Sequence, residues 1–235
     1  MWWRRWWSRL NARRGEHPVL LANRNYFDGF DYGSHVWDYD FVVFDTELTG
    51  LNPRLDEIVS IGAVRVRDRH VMIEESFHSL LRTKRTSFGE GTLVHRIAPQ
   101  DIRRAPQPEK ILPKFVDFCG KSVLIGHLPI LDLSFLDKAC RRSMGGIIMN
   151  PCLDSMELAR TLLKDQKSSR DSARRPVTSL NLTELAQAYR IPRFVTHDAL
   201  GDALQTACLF IFLVERLSRC GLRTLKDFRK AGYPG

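Results

Sequence analysis

The sequence lacks the features of an exported or membrane-spanning chain. No apolar run in its 235 residues approaches the roughly 20 needed to cross a bilayer. The cationic start runs into Trp and Arg rather than into the apolar stretch of a signal peptide. Cysteine is sparse: the five residues (Cys119, Cys140, Cys152, Cys208, Cys220) are odd in number, scattered and without a Cys-x-x-Cys pair. That pattern argues against a disulfide framework and against a zinc knuckle, and it suits a reducing, cytoplasmic compartment. No internal repeat is visible. Acid is in deficit, with 27 Asp and Glu against 36 Lys and Arg and a formal net charge of +9. A surplus of that size makes a polyanionic partner plausible, because phosphate binding draws much of its affinity from displaced counterions.

What is present fits one α/β domain with appendages. Residues 1–39 read as an extension in which Trp2, Trp3, Trp6 and Trp7 alternate with Arg4, Arg5 and Arg9. On a helix such a segment suits docking to a protein partner or to a membrane surface, and a disordered basic tail is the plain alternative. Residues 40–220 carry the domain pattern, and 221–235 read as a short tail. Three apolar or alternating runs, Phe41 to Phe44, Ile58 to Val66 and His70 to Leu81, predict strands at hairpin spacing, an antiparallel meander. Helical periodicity covers Ile111 to Cys119, Asp132 to Arg142 and Ser155 to Leu163, with a strand-like Ser122 to Gly126 between the first two. Lys164 to Pro176 is polar and basic, a predicted loop. Leu182, Leu185, Ala186 and Tyr189, and then Ala203, Ala207, Phe210, Val214 and Leu217, recur at helical spacing.

The chemistry-bearing residues are acids. In the run Phe41 to Glu47, Asp45 and Glu47 stand two apart at the end of an apolar strand, so a strand's period of two turns both to one face. Two like charges side by side repel unless a cation sits between them. Taken alone, the pair also fits a strand running out into solvent. Asp132 opens a predicted helix on its core side, where an N-cap is the plain alternative. Farther on, the five-residue step from His197 to Asp202 fits a His in a loop and an Asp in the first turns of the helix that follows. Asp198 between them is a cap candidate, and His197 by itself would be a surface histidine.

Taken together, these segments resemble the DnaQ-like exonucleases of the DEDD superfamily, in the subtype whose last motif carries histidine. Phe44-Asp45-Thr46-Glu47-Leu48-Thr49-Gly50-Leu51 resembles the first motif. The stretch Ile125 to Leu136, with His127 and Asp132, resembles the second, and His197-Asp198-Ala199-Leu200-Gly201-Asp202 the third. Smaller echoes fall between them in order, at Val94 to Ile97, Asp154 to Arg160 and Ser179 to Pro192. The chain departs from the family at Leu48, where a Thr is usual, at Leu128, where Asn is usual, and at Leu131, where Phe is usual.

The resemblance implies an α/β, ribonuclease H-like mixed sheet, three antiparallel strands first, with helices on both faces. It implies that Asp45, Glu47, Asp132 and Asp202 hold two Mg²⁺ or Mn²⁺ ions, about 4 Å apart in two-metal sites, and that His197 is the general base. The reaction implied is removal of nucleoside 5′-monophosphates from the 3′ end of DNA, single-stranded in the expected case. Leu48, Thr49 and His127 are expected near the terminal nucleotide, and Lys167, Arg170, Arg174 and Arg175 along the phosphate backbone. RNA trimming and a silent accessory module are the alternatives. The last helix ends shortly before Gly235, which favours a stand-alone enzyme or one attached through its amino-terminal segment.

Overall fold

The computed structural model describes residues 15–83, 96–168 (backbone only for 166–168), 177 and 179–232. Its centre is a five-stranded sheet of order β3-β2-β1-β4-β5. Strands β1 (Phe41–Leu48), β2 (Ile58–Arg67) and β3 (His70–Leu80) form the expected antiparallel meander. Strands β4 (Val123–Gly126) and β5 (Cys152–Asp154) extend the sheet on the other side of β1 in parallel. Parallel pairing requires long crossovers, and these are helical: α2 (Pro99–Arg104) and α3 (Pro108–Cys119) precede β4, and α4 (Ile130–Met144) links β4 to β5.

Because successive residues of a strand face opposite sides, β1 builds two cores at once. Val42, Phe44 and Leu48 join Leu112 and Phe115 of α3 and Phe135 and Leu136 of α4 in one cluster. Phe41 and Val43 join the other cluster with helices α5 (Ser155–Ser168), α6 (Leu182–Tyr189) and α7 (Ala199–Arg219). There α7 presents Ala207, Phe210, Leu213, Val214 and Leu217, a stripe at helical spacing. Helices therefore cover both faces of the sheet, as expected.

Two segments expected to lie outside the domain are packed on it. In the supposed extension, α1 (Pro18–Phe27) buries Leu20 completely in the first core. Asn23 donates to Asn150 at 2.6 Å and accepts from the Met149 amide at 2.8 Å, while the His17 amide donates to the Met144 carbonyl at 2.8 Å. In the supposed tail, α8 (Leu225–Ala231) buries Leu225 and Phe228 in the second core, and Thr224 bridges His35. The apolar signal of both helices is hidden for a physical reason. The buried positions of α1 are Leu20, Asn23 and Phe27, so a polar residue interrupts the stripe, and α8 spans too few turns to show a period. The Trp/Arg-rich segment proper lies outside the described residues.

Replacing Leu20 with Ala should lower the unfolding free energy by about 2–4 kcal/mol, the usual cost of emptying a fully buried leucine site. Denaturant unfolding measures it, and a loss below about 1 kcal/mol would show that α1 is not part of the core.

Candidate active site

Asp45 and Glu47 continue the parity of Phe41 and Val43, so they leave β1 on the face that α7 covers. The close approach of α7 depends on a glycine. Gly62 stands opposite Asp45 in the β1–β2 pairing, and a Cβ placed there would come within 2.1 Å of the Ala199 carbonyl carbon and 2.2 Å of the Leu200 nitrogen. With hydrogen in that place, the first turn of α7 lies directly on β2. Asp198 caps this turn by accepting from the Gly201 amide at 2.9 Å. Asp202 then arrives beside β1, and carboxylate oxygens of Asp45, Glu47 and Asp202 lie within 4.8 Å of one another.

Asp132 approaches from the other layer. It lies in the first turn of α4, whose N-cap is Pro129, so capping is not its task. Its carboxylate accepts from the hydroxyl of buried Thr46, the β1 residue between Asp45 and Glu47. Burial raises the pKa values of all four acids, and neighbouring carboxylates add to it at Asp45, Glu47 and Asp202. Asp45 is pushed well above the usual range by burial first, then by Asp132, Asp202, Glu47 and Asp198. Burial, then Asp202, Asp132 and Asp198, push Glu47 up to about 7. Burial raises Asp132 to about 6 against the pull of its Thr46 hydrogen bond. Asp202 is raised by burial and held back by the His197 amide, which donates to it at 3.0 Å. Hard oxygen donors that repel one another at this range fit a divalent cation, which removes the repulsion.

His197 is exposed, adopts a left-handed φ of 60° and stands one residue before the cap of α7. The other residues expected at the nucleotide are turned toward protein groups. Leu48 is buried in the first core, and the Thr49 hydroxyl donates to Asp56 and accepts from the Glu57 amide, both at 3.0 Å. His127 Nε2 lies 2.9 Å from the Leu180 carbonyl, which can only accept. Nε2 therefore carries the proton, and Nδ1 accepts from the Ser155 hydroxyl at 2.9 Å. Burial lowers the pKa of this ring. Lys167 falls in the last turn of α5, and Arg170, Arg174 and Arg175 lie outside the described residues. Sequence reasoning missed Gly62 and Thr46. A lone glycine inside an otherwise apolar strand is the signal that points to a close backbone approach.

A mixed sheet with acids gathered at the end of its central strand is the ribonuclease H-like architecture of exonucleases. The exonuclease family model (RNase_T) matches residues 42–210, and the chain belongs to that family. A DNA polymerase III subunit epsilon of Aquifex aeolicus is 30% identical over 192 residues, covering 78% of this chain and 84% of that protein. A PolC-type DNA polymerase III of Thermotoga maritima is 31% identical over 213 residues, and there the match spans only 14% of the relative's length. Among solved structures, Escherichia coli exonuclease I in complex with a dT13 oligonucleotide shares the fold, with a TM-score of 0.65 at 18% identity over 77% of this chain and 42% of that one. Among the described residues no helix is long and apolar enough to cross a membrane.

The raised acids set how stability depends on pH. A carboxylate whose folded pKa is raised contributes stability below its unfolded pKa and loses it as pH rises through the folded value. With Glu47 at about 7 and Asp132 at about 6, the metal-free protein should lose stability between about pH 4 and pH 7. Thermal melts in chelator should show this fall, and Glu47→Gln should make it shallower. An equal fall in the variant would contradict the shift assigned to Glu47. Separately, Gly62→Ala should cost at least about 1–3 kcal/mol in denaturant unfolding, because α7 must move off the sheet to admit the methyl group. A fully stable Gly62→Ala protein would show that Gly62 does not set the position of Asp202.

Proposed function

We propose that this chain is a metal-dependent 3′ to 5′ exonuclease that hydrolyses the terminal phosphodiester of DNA and releases nucleoside 5′-monophosphates. The observation that carries the reading is the convergence of Asp45, Glu47 and Asp202 within 4.8 Å, with Asp132 beside them, in a chain of the exonuclease family. DNA is preferred to RNA because the relatives are DNA polymerase III proteins and the similar solved structure holds a dT13 oligonucleotide. In this reading the partner is nucleic acid with a free, single-stranded 3′ end, and the compartment is the cytoplasm.

Asp45, Glu47, Asp132 and Asp202 would hold two Mg²⁺ or Mn²⁺ ions. Bound there, the metal supplies Lewis-acid charge for the phosphate and for the attacking water. The residues of the chain do the rest. Thr46 holds the Asp132 carboxylate in place, and the His197 amide does the same for Asp202. The exposed imidazole of His197, next to the cap of α7, is the group free to take the proton of that water. The basic segment after α5 leads back to Leu180, whose carbonyl is bonded to His127 in the β4–α4 connection. Leu180 is thereby held beside the turn leading to Asp132, which supports a role for Lys167, Arg170, Arg174 and Arg175 along the phosphate backbone. Leu48, Thr49 and His127 shape the nucleotide site from behind in this reading, through the bonds and packing they make with the protein. The Trp/Arg-rich segment is the candidate docking element for a protein partner or a membrane surface.

Alanine at Asp45, Glu47, Asp132 or Asp202 should abolish most cleavage of end-labelled oligonucleotides, and His197→Ala should slow turnover by about 10² to 10⁴ with metal affinity kept. Matched DNA and RNA oligomers read the substrate class, and faster turnover of RNA would replace DNA as the assignment. Neutralising Lys167, Arg170, Arg174 and Arg175 together should weaken binding at low salt. It should also flatten the dependence of log affinity on log salt by about 0.7 for each phosphate that the variant no longer neutralises. An unchanged slope would leave these four residues as ordinary surface.

A further inference from the structure

Leu128 combines a left-handed backbone conformation with an exposed apolar side chain. Its φ is 57°, in the left-handed region where a leucine is strained, and its side chain is 47% exposed. The strain is fixed by a buried acid. The Leu128 amide donates at 3.0 Å to Asp154 Oδ1, which also accepts from the Met156 amide at 2.8 Å, and Asp154 is only 1% exposed. Asp154 therefore ties the turn after β4 to the start of α5. The parallel register of β1 and β4 pairs Val43 with Ile125, and the turn begins just beyond the end of β4 at Gly126 and leads into α4, whose first turn carries Asp132 bonded to Thr46 of β1. An apolar side chain is thus held out in solvent on the turn between β4 and α4, four residues before Asp132, at the position where the family usually has Asn.

We propose that Leu128 is a specificity-determining residue that lays its apolar side chain on a nucleobase of the 3′-terminal dinucleotide, and that Asp154 is the positioning residue that holds it there. The inference rests on the exonuclease reading above. An apolar interaction of this kind is indifferent to base identity, since each base offers an apolar face, but it requires that a base be present. It favours an end whose bases are unpaired and can lean onto the protein.

The test is oligonucleotide binding by fluorescence anisotropy in a Glu47→Gln background, which prevents cleavage during the measurement. The oligonucleotides are a single-stranded DNA with an intact 3′ end and two counterparts, abasic at the last or at the next-to-last nucleotide. Leu128→Gly and Leu128→Asn should weaken binding of the intact strand about three- to tenfold, the scale of one partly buried apolar side chain. They should leave the affinity for one of the abasic strands unchanged. Both variants should keep the melting temperature, because Gly and Asn accept positive φ. Asp154→Ala should reproduce the binding defect with a lower melting temperature, and Asp154→Asn, which keeps an acceptor oxygen, should restore part of both. Equal weakening for intact and for both abasic strands, or no weakening at all, would overturn the role of Leu128. Wild-type cleavage with Mg²⁺ is assayed in parallel, and its absence would overturn the nuclease reading itself, an outcome separate from any change at Leu128.

Discussion

Like-charge crowding at the end of β1 governs the rest of this structure. Three carboxylates whose oxygens lie within 4.8 Å of one another, with a fourth held beside them, gain nothing from proximity in the metal-free protein. They are kept there by packing. Two hydrophobic clusters on opposite faces of the sheet fix α4 and α7, and Asp132 and Asp202 ride on the first turns of those helices. The energy stored as raised carboxylate pKa values is the energy that a divalent cation can release on binding. Stability and readiness for metal are therefore opposed in the same few residues.

The two faces of β1 divide the labour. Asp45 and Glu47 point to the α7 layer and Thr46 to the α4 layer, so Asp132 reaches the cluster through a hydroxyl on the reverse side of the strand. Each helix meets the sheet through a different device. On one face Gly62 removes a side chain so that backbone can touch backbone, and on the other a hydroxyl and a carboxylate make a directed bond. The first sets distance and the second sets direction.

Much of this is legible from residue order. The alternation of Phe41 to Glu47 places the two acids on one face, and the stripe from Ala203 to Leu217 sets α7 against the sheet. The step from His197 to Asp202 gives a loop residue followed by a first-turn residue, with Asp198 as the cap between them. Other features escape because they are properties of pairs distant in sequence. The clash that Gly62 avoids is with Ala199, and Asp154 is defined by its bonds to Leu128 and Met156. The short strand Cys152–Asp154 and helices α1 and α8 carry too few apolar repeats to announce themselves. His127, read as a nucleotide neighbour, has both ring nitrogens committed to Ser155 and Leu180, a commitment visible only once residues far apart in the chain are brought together.

The packing of α8 bears on how the chain acquires its structure. Phe228 and Leu225 complete the cluster that also holds Phe41, Val43, Phe210 and Val214, so the α7 layer stays partly open until residue 228 has been made. On a ribosome, with synthesis running from the amino end, the meander and the α4 layer can form early while the opposite face waits for α8. The apolar packing beneath the acids of that face is thus completed late, once α8 has emerged.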